Sequence, residues 1–528
     1  MLRSVQGAAW VAALAALWAY ALTLSPTVAW VNLGEDSGDL LAASVTLGIP
    51  HPTGYPLFVL LGRVATFLPL GSLAFRINLI AALAAAASVY FVVRLACALA
   101  PEGARGAGGA FCAAACALLY ASSRGAWSQS VLAEVYTLNA AFLGAILWLL
   151  VEAEREGDLR RLLLAAYLFG LGLTNHLLLL AVSPALLVVT WRLAHERRIG
   201  LLGAVLLPVL IFWGVTLDLF LPVRAAQNPE FSWGSPSTPG QLWWVLSGAQ
   251  YARNFFARDL PGAVRHLLPG RWVMDFGWGL LILGIGVAVA AIRRPAGAGA
   301  VWLALLASLV LLSVYAIGDD VGYWMPAGLI GAGLAGAGWA SLWQGLPSSR
   351  PARAAVALLL LLAVGLGFFS SWRKVDASGD LTPYLYAQRN LSSVEPNALI
   401  VSEYDGRTFA LWFYQATDFK KSHPEVVVAY KYLLVWPWYL HHLARYYRTL
   451  AVPGYPGSLD LMMNRLIARN IRTRPVYLTR EDPGLLPLFR TEPVGDSRMP
   501  LYRVREAAPP PAPARPRPAA ARPRQSAR

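Results

Sequence analysis

The sequence predicts a polytopic, mainly α-helical membrane protein with a small α/β domain near its C-terminal end. Of its 528 residues, 57% are hydrophobic and 14% are charged, whereas a soluble domain usually has about a quarter charged residues. Apolar runs long enough to cross a ~30 Å hydrocarbon core recur up to residue 371. They are absent from residues 372–506. This composition argues against a purely soluble enzyme.

Apolar runs, read between their helix-breaking residues, predict about eleven transmembrane helices within a membrane domain of residues 1–371. They lie near 8–30, 73–99, 108–122, 131–153, 160–174, 176–193, 199–222, 273–292, 299–316, 325–345 and 353–371. The first is interpreted as a span, since its apolar stretch exceeds that of a signal peptide. The adjacent short spans 160–174 and 176–193 are the least clearly separated.

Arginines predict the orientation of these helices. Short loops rich in arginine are predicted to face the cytoplasm with the N-terminus. The arginines are Arg105, Arg155, Arg160, Arg161, Arg192, Arg197, Arg198, Arg293, Arg294, Arg350 and Arg353. The opposite short loops carry one arginine, Arg124. An odd number of spans then places the C-terminal region on the extracytoplasmic side of a bacterial-type inner membrane.

Beyond residue 371 the apolar stretches shorten to the length of strands. Strands are predicted at 397–402, 425–430, 475–479 and 501–504, and helices at 408–415, 439–449 and 459–470. This alternation predicts an α/β domain over 372–506. The Pro/Ala/Arg-rich tail, 507–528, is predicted to be disordered. It holds five arginines and no acid, so the net charge of +15 does not indicate nucleic-acid binding.

Three carboxylates follow the first predicted helix. Glu35, Asp36 and Asp39 lie within the first predicted extracytoplasmic loop, where acids beside a membrane are costly unless they are solvated or used. If a short helix begins near Ser37, Asp36 and Asp39 share one face at i and i+3. An acidic helix cap in a solvated loop is the alternative interpretation.

A loop rich in proline and glycine comes next. Residues 48–56 contain three prolines and two glycines, which is typical of a rigid turn rather than a flexible linker. Such a loop can hold His51 and Tyr55 over the carboxylates. A lone histidine is also commonly structural, so both interpretations stand at this point.

Further polar side chains are predicted at the same membrane face. They are Asn175, His176, Arg224, Asp319, Asp320 and Tyr323. Acids, a guanidinium and imidazoles at one interface suit a lipid-phosphate substrate, because arginine binds phosphate in a bidentate manner and a carboxylate can deprotonate a hydroxyl. Taken singly, the aspartates can be helix caps and Arg224 can extend to lipid headgroups.

Two aromatic segments have no assigned chemistry. In 241–258, Trp244, Gly248, Tyr251 and Phe255 recur at helical spacing, which predicts an interfacial helix that either anchors the protein or shapes a lipid groove. The aromatic run 436–447 allows the same two interpretations and sugar stacking as a third. No catalytic residue is assigned to it.

Several motifs together resemble one known family of membrane proteins. They are Gly34-Glu-Asp-Ser-Gly-Asp39, His51-Pro-Thr-Gly-Tyr-Pro-Leu-Phe58, Phe75-Arg-Ile-Asn-Leu79, Ser128-Gln-Ser-Val-Leu-Ala-Glu-Val-Tyr-Thr-Leu-Asn139, Gly172-Leu-Thr-Asn-His176, Leu221-Pro-Val-Arg-Ala225, Asn228-Pro-Glu-Phe-Ser-Trp-Gly234 and Gly318-Asp-Asp-Val-Gly-Tyr323. Their order resembles the family filed as domain of unknown function 2723, which includes the transmembrane protein 260-like O-mannosyltransferases. The resemblance covers most of residues 30–330 and fades after about residue 372.

This resemblance implies a GT-C glycosyltransferase fold and a polyprenyl-phosphate sugar donor. It makes Asp36 the candidate catalytic base and Asp39 a second acid, although the family often has Glu at the latter position. Substrate or donor-phosphate contacts are implied for Glu35, His51, Tyr55, Glu134, Tyr136, Asn175, His176, Arg224, Asp319, Asp320 and Tyr323.

The resulting hypothesis is transfer of a sugar, mannose by resemblance, to a hydroxyl of a protein or glycan acceptor, with inversion. A divalent cation would help, but no dedicated ligand set is predicted, and Cys97, Cys112 and Cys116 all fall in apolar segments. The rival hypotheses are a transporter or flippase of lipid-linked sugars and a non-catalytic scaffold. Oligomeric state and the role of the C-terminal region are not predicted.

Overall fold

The computed structural model describes residues 2–268, 270–318, 320–347, 350–423, 425–455, 457–496 and 498–507. Asp319 lies outside the described residues, as does the predicted tail from residue 508 onward. The described part is mainly helical, with one small sheet near its C-terminal end.

Long apolar helices dominate the first 375 residues. They are Leu2–Leu22, Leu73–Leu99, Ala107–Ala121, Tyr136–Glu156, Leu159–Leu173, Ser183–His195, Leu201–Val215, Gly279–Arg293, Ala298–Val314, Val321–Gly345 and Arg350–Val375. Shorter helices connect them, at Ser37–Thr46, Pro56–Ala65, Arg124–Ser128, Phe220–Ala226, Pro239–Leu246, Leu260–His266 and Gly270–Phe276.

Six candidate spans in the described residues are long and apolar enough to cross a membrane. They are Ser4–Leu22, Leu73–Leu99, Tyr136–Glu156, Leu177–His195, Leu201–Ala226 and Pro351–Val375. The chain is therefore an integral membrane protein. Helices occupy all the segments predicted as spans, but the number of about eleven crossings stays a prediction.

The first predicted span is too long at its C-terminal end. The helix stops at Leu22 rather than near residue 30. At this end the Thr23 hydroxyl bonds to the Ala19 carbonyl, and the Ser25 amide leaves the helical pattern for the Val131 carbonyl. The chain from Thr23 to Leu33 is thereby free to form a loop that carries the acidic motif to the end of the bundle.

The sheet has five strands in the order β2-β1-β3-β5-β4. The strands are β1 (Leu399–Ser402), β2 (Val427–Tyr430), β3 (Val476–Leu478), β4 (Phe489–Val494) and β5 (Leu501–Glu506). Strand β1 pairs in parallel with β2 and β3, in the register Leu399 to Val427 and Leu399 to Val476. Strand β5 runs antiparallel to both β3 and β4.

Four helices accompany the sheet, namely Thr382–Ser393, Asp405–Ala416, Pro437–Tyr446 and Leu459–Asn470. Helix Asp405–Ala416 packs on helix Ser37–Thr46, and Gly38 is what permits this contact. A Cβ atom at Gly38 would lie 2.8 Å from the backbone of Phe409, closer than packed atoms approach. One apolar core therefore joins the C-terminal region to the first loop, with Leu40 and Trp233 in the same cluster as Phe409.

Candidate active site

Asp36 and Asp39 lie at the start of helix Ser37–Thr46, and His51 is beside both. The Nδ1 atom of His51 is 2.9 Å from Asp39 Oδ2, and the His51 backbone N–H donates to the same oxygen over 2.8 Å. The Nε2 atom of His51 lies 3.8 Å from Asp36 Oδ2. Asp36 occupies the helix cap position, but its side chain makes no capping hydrogen bond. The two acids and the histidine therefore form one cluster.

These two carboxylates differ in exposure. The Asp36 side chain is 48% exposed, whereas that of Asp39 is 1% exposed. Both contacts from His51 go to Asp39 Oδ2. Among the described residues, Asp39 Oδ1 has no hydrogen-bond partner. Asp39 thus holds the His51 ring from the buried side, whereas the Asp36 carboxylate is accessible to a substrate.

His51 carries a positive charge in this cluster. Burial alone would lower the pKa of His51, but the carboxylates of Asp36, Asp39 and Glu134 raise that pKa to about 9. A protonated imidazole that is 13% exposed supplies a fixed cation next to the two acids. Such a cation suits the binding of a phosphate group.

A ring of aromatic side chains surrounds His176. Its ring stacks on Tyr55 with centroids 6.0 Å apart, and it lies 5.3 Å from Tyr136 and 5.8 Å from Tyr323. Burial, together with the charge on His51, lowers the pKa of His176 to about 4. The Nδ1 atom accepts the Leu178 backbone N–H over 3.0 Å, so in the neutral ring the proton is on Nε2. His176 can therefore donate one hydrogen bond.

A cavity of about 640 Å³ opens in front of this cluster. Of the predicted site residues, it is lined by Glu35, Asp36, His51, Tyr55, Tyr136, His176 and Tyr323. We call Asp36, His51, Tyr55, His176 and Tyr323 the histidine wall. The cavity volume is in the range typical of small-molecule sites in proteins.

Apolar side chains continue the cavity beyond the histidine wall. Leu177, Leu178 and Leu180 come from the segment after His176, and Leu311 comes from the end of helix Ala298–Val314. Leu180 is 43% exposed. This leucine strip gives the cavity a polar end and an apolar end, as an amphipathic ligand requires.

The interfacial segment predicted at 241–258 also reaches the cavity. It forms helix Pro239–Leu246 and a 3₁₀ turn, Ala249–Asn254, instead of one continuous helix, because Gly248 has a left-handed backbone with φ 62°. Gly248, Tyr251 and Phe255 line the cavity. Of its two interpretations, the geometry supports a groove-forming role.

A further part of the cavity wall comes from the C-terminal region, where no site residue was predicted. Its residues are Asp405, Phe409, Tyr430, Tyr432 and Trp436, and we call them the aromatic wall. Trp436, from the aromatic run 436–447, lines the cavity, which fits the groove and sugar-stacking interpretations of that run. A signal for the other residues was present in the sequence: Tyr430 ends one predicted strand and Asp405 comes three residues after another, and parallel strands commonly place ligand-binding groups at their carboxyl ends.

Arg224 is not where the phosphate hypothesis needs it. Its Nε donates to the Leu47 carbonyl over 2.6 Å and its Nη2 to the Thr46 carbonyl over 3.2 Å. These carbonyls end helix Ser37–Thr46 and need donors, so the guanidinium is held there and does not line the cavity. The observed role of Arg224 is a helix-capping contact, and its predicted contact with the substrate stays a prediction.

Three other candidates also lie outside the cavity lining. Asn175 is fully buried and donates to the Val135 carbonyl over 2.9 Å. Glu134 is buried and acts on the site through the charge that it presents to His51. Asp320 lies 2.9 Å from His266 Nε2 and 3.7 Å from Arg271 Nη1. None of these three residues lines the cavity, so their predicted contacts with a substrate stay predictions.

Within the described residues, no group of three or more His, Cys, Asp or Glu side chains is arranged to hold a metal ion. Among the described residues that line the cavity, the charged side chains are Glu35, Asp36, His51 and Asp405. His51 is the cation of this set.

Residues 36–198 match the family model described as the Protein O-mannosyl-transferase TMEM260 N-terminal domain. The predicted family resemblance is confirmed. The mouse Protein O-mannosyl-transferase TMEM260 is 26% identical over 453 residues, which are 80% of this chain and 62% of that protein. The Dictyostelium discoideum Protein O-mannosyl-transferase tmem260 is 27% identical over 243 residues, 42% of this chain and 28% of that protein. The chain thus spans less than two thirds of these relatives' length.

Solved structures share the fold. ArnT from Cupriavidus metallidurans, bound to undecaprenyl phosphate, superposes with a TM-score of 0.58 at 13% identity, covering 94% of this chain and 97% of that one. The Archaeoglobus fulgidus oligosaccharyltransferase superposes with a TM-score of 0.51 at 13% identity, covering 90% of this chain and 68% of that one. The fold is therefore GT-C-like.

Proposed function

We propose that this protein is a membrane glycosyltransferase that moves a sugar from a polyprenyl-phosphate carrier to a hydroxyl acceptor. The observation that carries the proposal is the cavity itself, which joins a half-exposed carboxylate, a histidine cation and an apolar strip in one space. A sugar, a phosphate and an isoprenoid chain need these three environments, in that order.

Asp36 is the proposed base. Its carboxylate takes the proton of the acceptor hydroxyl as the hydroxyl oxygen forms a bond to the anomeric carbon. The bond from that carbon to the phosphate oxygen breaks, and the electron pair leaves with the phosphate. One displacement inverts the anomeric carbon. Asp39 is a positioning residue, since its two hydrogen bonds to His51 fix the ring and leave Nε2 toward Asp36.

The histidines are the proposed phosphate ligands. His51 offers a positive charge and His176 offers an Nε2–H, and both line the cavity. The phosphate leaving group gains negative charge as the bond breaks, so fixed donors aimed at it favour the transition state over the ground state. A divalent cation would add charge of the same sign and stays a proposal.

The leucine strip is the proposed binding surface for the lipid chain. Leu178, Leu180 and Leu311 present apolar surface beside the histidine wall. The undecaprenyl phosphate bound to the ArnT relative in fold supports a polyprenyl phosphate as the carrier. The names of the sequence relatives support mannose as the sugar and a protein hydroxyl as the acceptor, for which we propose serine or threonine.

The geometry also supports the proposed orientation in the membrane. Helix Tyr136–Glu156 begins at the cavity and ends among ion pairs of Arg155 and Arg161 with Glu152 and Glu156. Its 21 residues span about 30 Å, the thickness of the hydrocarbon core. We propose that the arginine end faces the cytoplasm and that the cavity faces the extracytoplasmic side of a bacterial-type inner membrane.

The test is turnover of polyprenyl-phosphate-mannose by the purified protein in detergent. Asp36→Asn should lower both transfer and donor hydrolysis by about 100-fold or more, because the amide cannot accept the proton. Glu102→Gln, a carboxylate change in the short turn Glu102–Ala104 far along the chain, is the matched control and should turn over normally.

Turnover by a stably folded Asp36→Asn protein at the native rate would show that Asp36 is not the base. If the native protein binds the lipid-linked sugar and turns none over, a transporter or flippase becomes the better account. If it neither binds nor turns over any lipid-linked sugar, the scaffold hypothesis is favoured.

A further inference from the structure

The aromatic wall stands at the carboxyl ends of two neighbouring parallel strands. Strand β1 leads into helix Asp405–Ala416, so Asp405 follows it closely, and Tyr430 is the last residue of β2. Open α/β sheets commonly bind ligands at this edge, since loops and helix starts there present side chains and backbone donors together. The edge points into the cavity already assigned to the donor.

Asp405 is a carboxylate with unused hydrogen-bonding capacity. The Tyr430 hydroxyl donates to its Oδ1 atom, and within the described residues no group donates to Oδ2. Burial, and next the charge on Asp36, raise the pKa of Asp405 to about 6. An acid in the first helical turn is normally stabilised by solvent and by the helix dipole. Asp405 is instead partly buried, and a second carboxylate, that of Asp36, acts on it.

The position of Asp405 relative to Asp36 is fixed by packing. The Trp30 indole donates to the Gly406 carbonyl over 2.9 Å, and Gly38 lies against the Phe409 backbone. These contacts join the segment just before Asp36 to the start of helix Asp405–Ala416. The two carboxylates therefore line the cavity in positions that packing fixes relative to each other.

We propose that Asp405 binds the acceptor, by accepting a hydrogen bond from the backbone N–H of the serine or threonine whose hydroxyl Asp36 deprotonates. The inference rests on the proposed function and names the acceptor subsite. A residue of this kind presents two donors a few ångströms apart, its O–H and its N–H, and the cavity presents two carboxylates to match. Tyr432, which is 43% exposed, and Trp436 then cover the flanking peptide.

The donor phosphate does not fit this wall. Asp405 is the carboxylate of the aromatic wall, whereas the cation, His51, belongs to the histidine wall. A phosphate next to Asp405 would meet a like charge. A peptide N–H is a neutral donor and gains from a carboxylate partner.

The experiment uses the full-length protein, polyprenyl-phosphate-mannose, and a capped Ala-Thr-Ala peptide with or without an N-methyl group on the threonine nitrogen. Two rates are measured, namely donor hydrolysis without peptide and transfer to peptide. Asp405→Asn should raise the KM for the plain peptide about tenfold, as expected for loss of a charged hydrogen bond, and leave hydrolysis near the native rate.

The N-methyl peptide has lost the same hydrogen bond. Its KM with the native protein should therefore be raised about as much, and Asp405→Asn should raise it little further, since the two changes remove one interaction. Asp460→Asn is the matched control. It is a more exposed first-turn acid of helix Leu459–Asn470 that does not line the cavity, and it should change neither rate.

Tyr430→Phe provides a second variant in case Asp405→Asn folds poorly. It removes the hydroxyl that holds Asp405 and should give a smaller rise in the peptide KM. Additive effects of Asp405→Asn and N-methylation, or an unchanged KM with normal hydrolysis, would overturn this inference alone. Hydrolysis of the donor together with transfer to glycans but not to peptide would also overturn this inference. No turnover by the native protein would overturn the proposed function and this inference with it.

Discussion

The two histidines of the histidine wall are held more tightly than Asp405 and Tyr432 of the aromatic wall. His51 is 13% exposed and has two hydrogen bonds to a fully buried aspartate, and His176 is packed among three tyrosines. On the aromatic wall, Tyr432 is 43% exposed and Asp405 has one hydrogen bond. Under the proposed function, this difference would give a preformed site for the donor and a more adaptable one for the acceptor.

Replacing His51 would break the histidine wall and should have the largest effect. His51→Gln removes the cation, so the KM for the donor should rise by roughly 10- to 100-fold through loss of a charge-assisted bond to phosphate. His441→Gln, an exposed histidine of helix Pro437–Tyr446, is the matched control. A donor KM that stays native in His51→Gln would remove the phosphate role from this wall.

The pH dependence should follow the same residue. Because the pKa of folded His51 is about 9, above the usual value of about 6.5, its proton stabilises the fold fully below about pH 6.5, and this stability is lost as pH rises through about 9. Donor affinity should fall over the same upper range. The measurement is the donor KM and the Tm from about pH 7 to about pH 10, in native protein and in His51→Gln. An equal fall in both proteins would contradict the assignment.

The spacing between the two walls can be changed without altering a polar group. Gly38→Ala places a methyl group 2.8 Å from the Phe409 backbone, which should cost ~1–3 kcal/mol of stability and move Asp405 away from Asp36. Transfer to acceptor should fall several-fold more than donor hydrolysis. Gly284→Ala, where a Cβ atom meets nothing within 4 Å, should leave both rates unchanged. Equal losses of transfer and hydrolysis would show that wall spacing does not govern acceptor binding.

Arg224 should have the smallest effect on the chemistry. Arg224→Ala removes two hydrogen bonds to the carbonyl end of helix Ser37–Thr46 and should lower stability by ~1–2 kcal/mol. The donor KM should change less than in His51→Gln, measured in the same assay. A donor KM raised as far as in His51→Gln would show that Arg224 contributes to phosphate binding.

The sequence led to the cluster of Asp36, Asp39 and His51 because these residues are close in the chain. Asp36, Asp39 and His51 lie within sixteen residues, and a proline-rich loop allows few ways of placing them. The sequence did not point to Asp405, which is some 370 residues from Asp36 in the chain. Packing of Gly38 on Phe409 brings the two segments together. The helix-capping contacts of Arg224 were not predicted, because charge and membrane side do not show that nearby carbonyls need its guanidinium.

The fold was predicted in the same uneven way. Apolar runs marked the long helices, but periodicity did not show that the first helix ends where the Thr23 hydroxyl turns back. Alternating short strands predicted the α/β region, yet Phe489–Val494 was missed, because an exposed edge strand with mixed side chains has little apolar pattern.

A structure of the protein with polyprenyl phosphate bound would test the proposed donor site directly. The phosphate should lie within hydrogen-bonding distance of His51 Nε2 and His176 Nε2, with the isoprenoid chain along Leu178, Leu180 and Leu311. The aromatic wall should be left open. A phosphate bound at Arg224, against Asp405 or outside the cavity would contradict the division of the cavity into donor and acceptor walls.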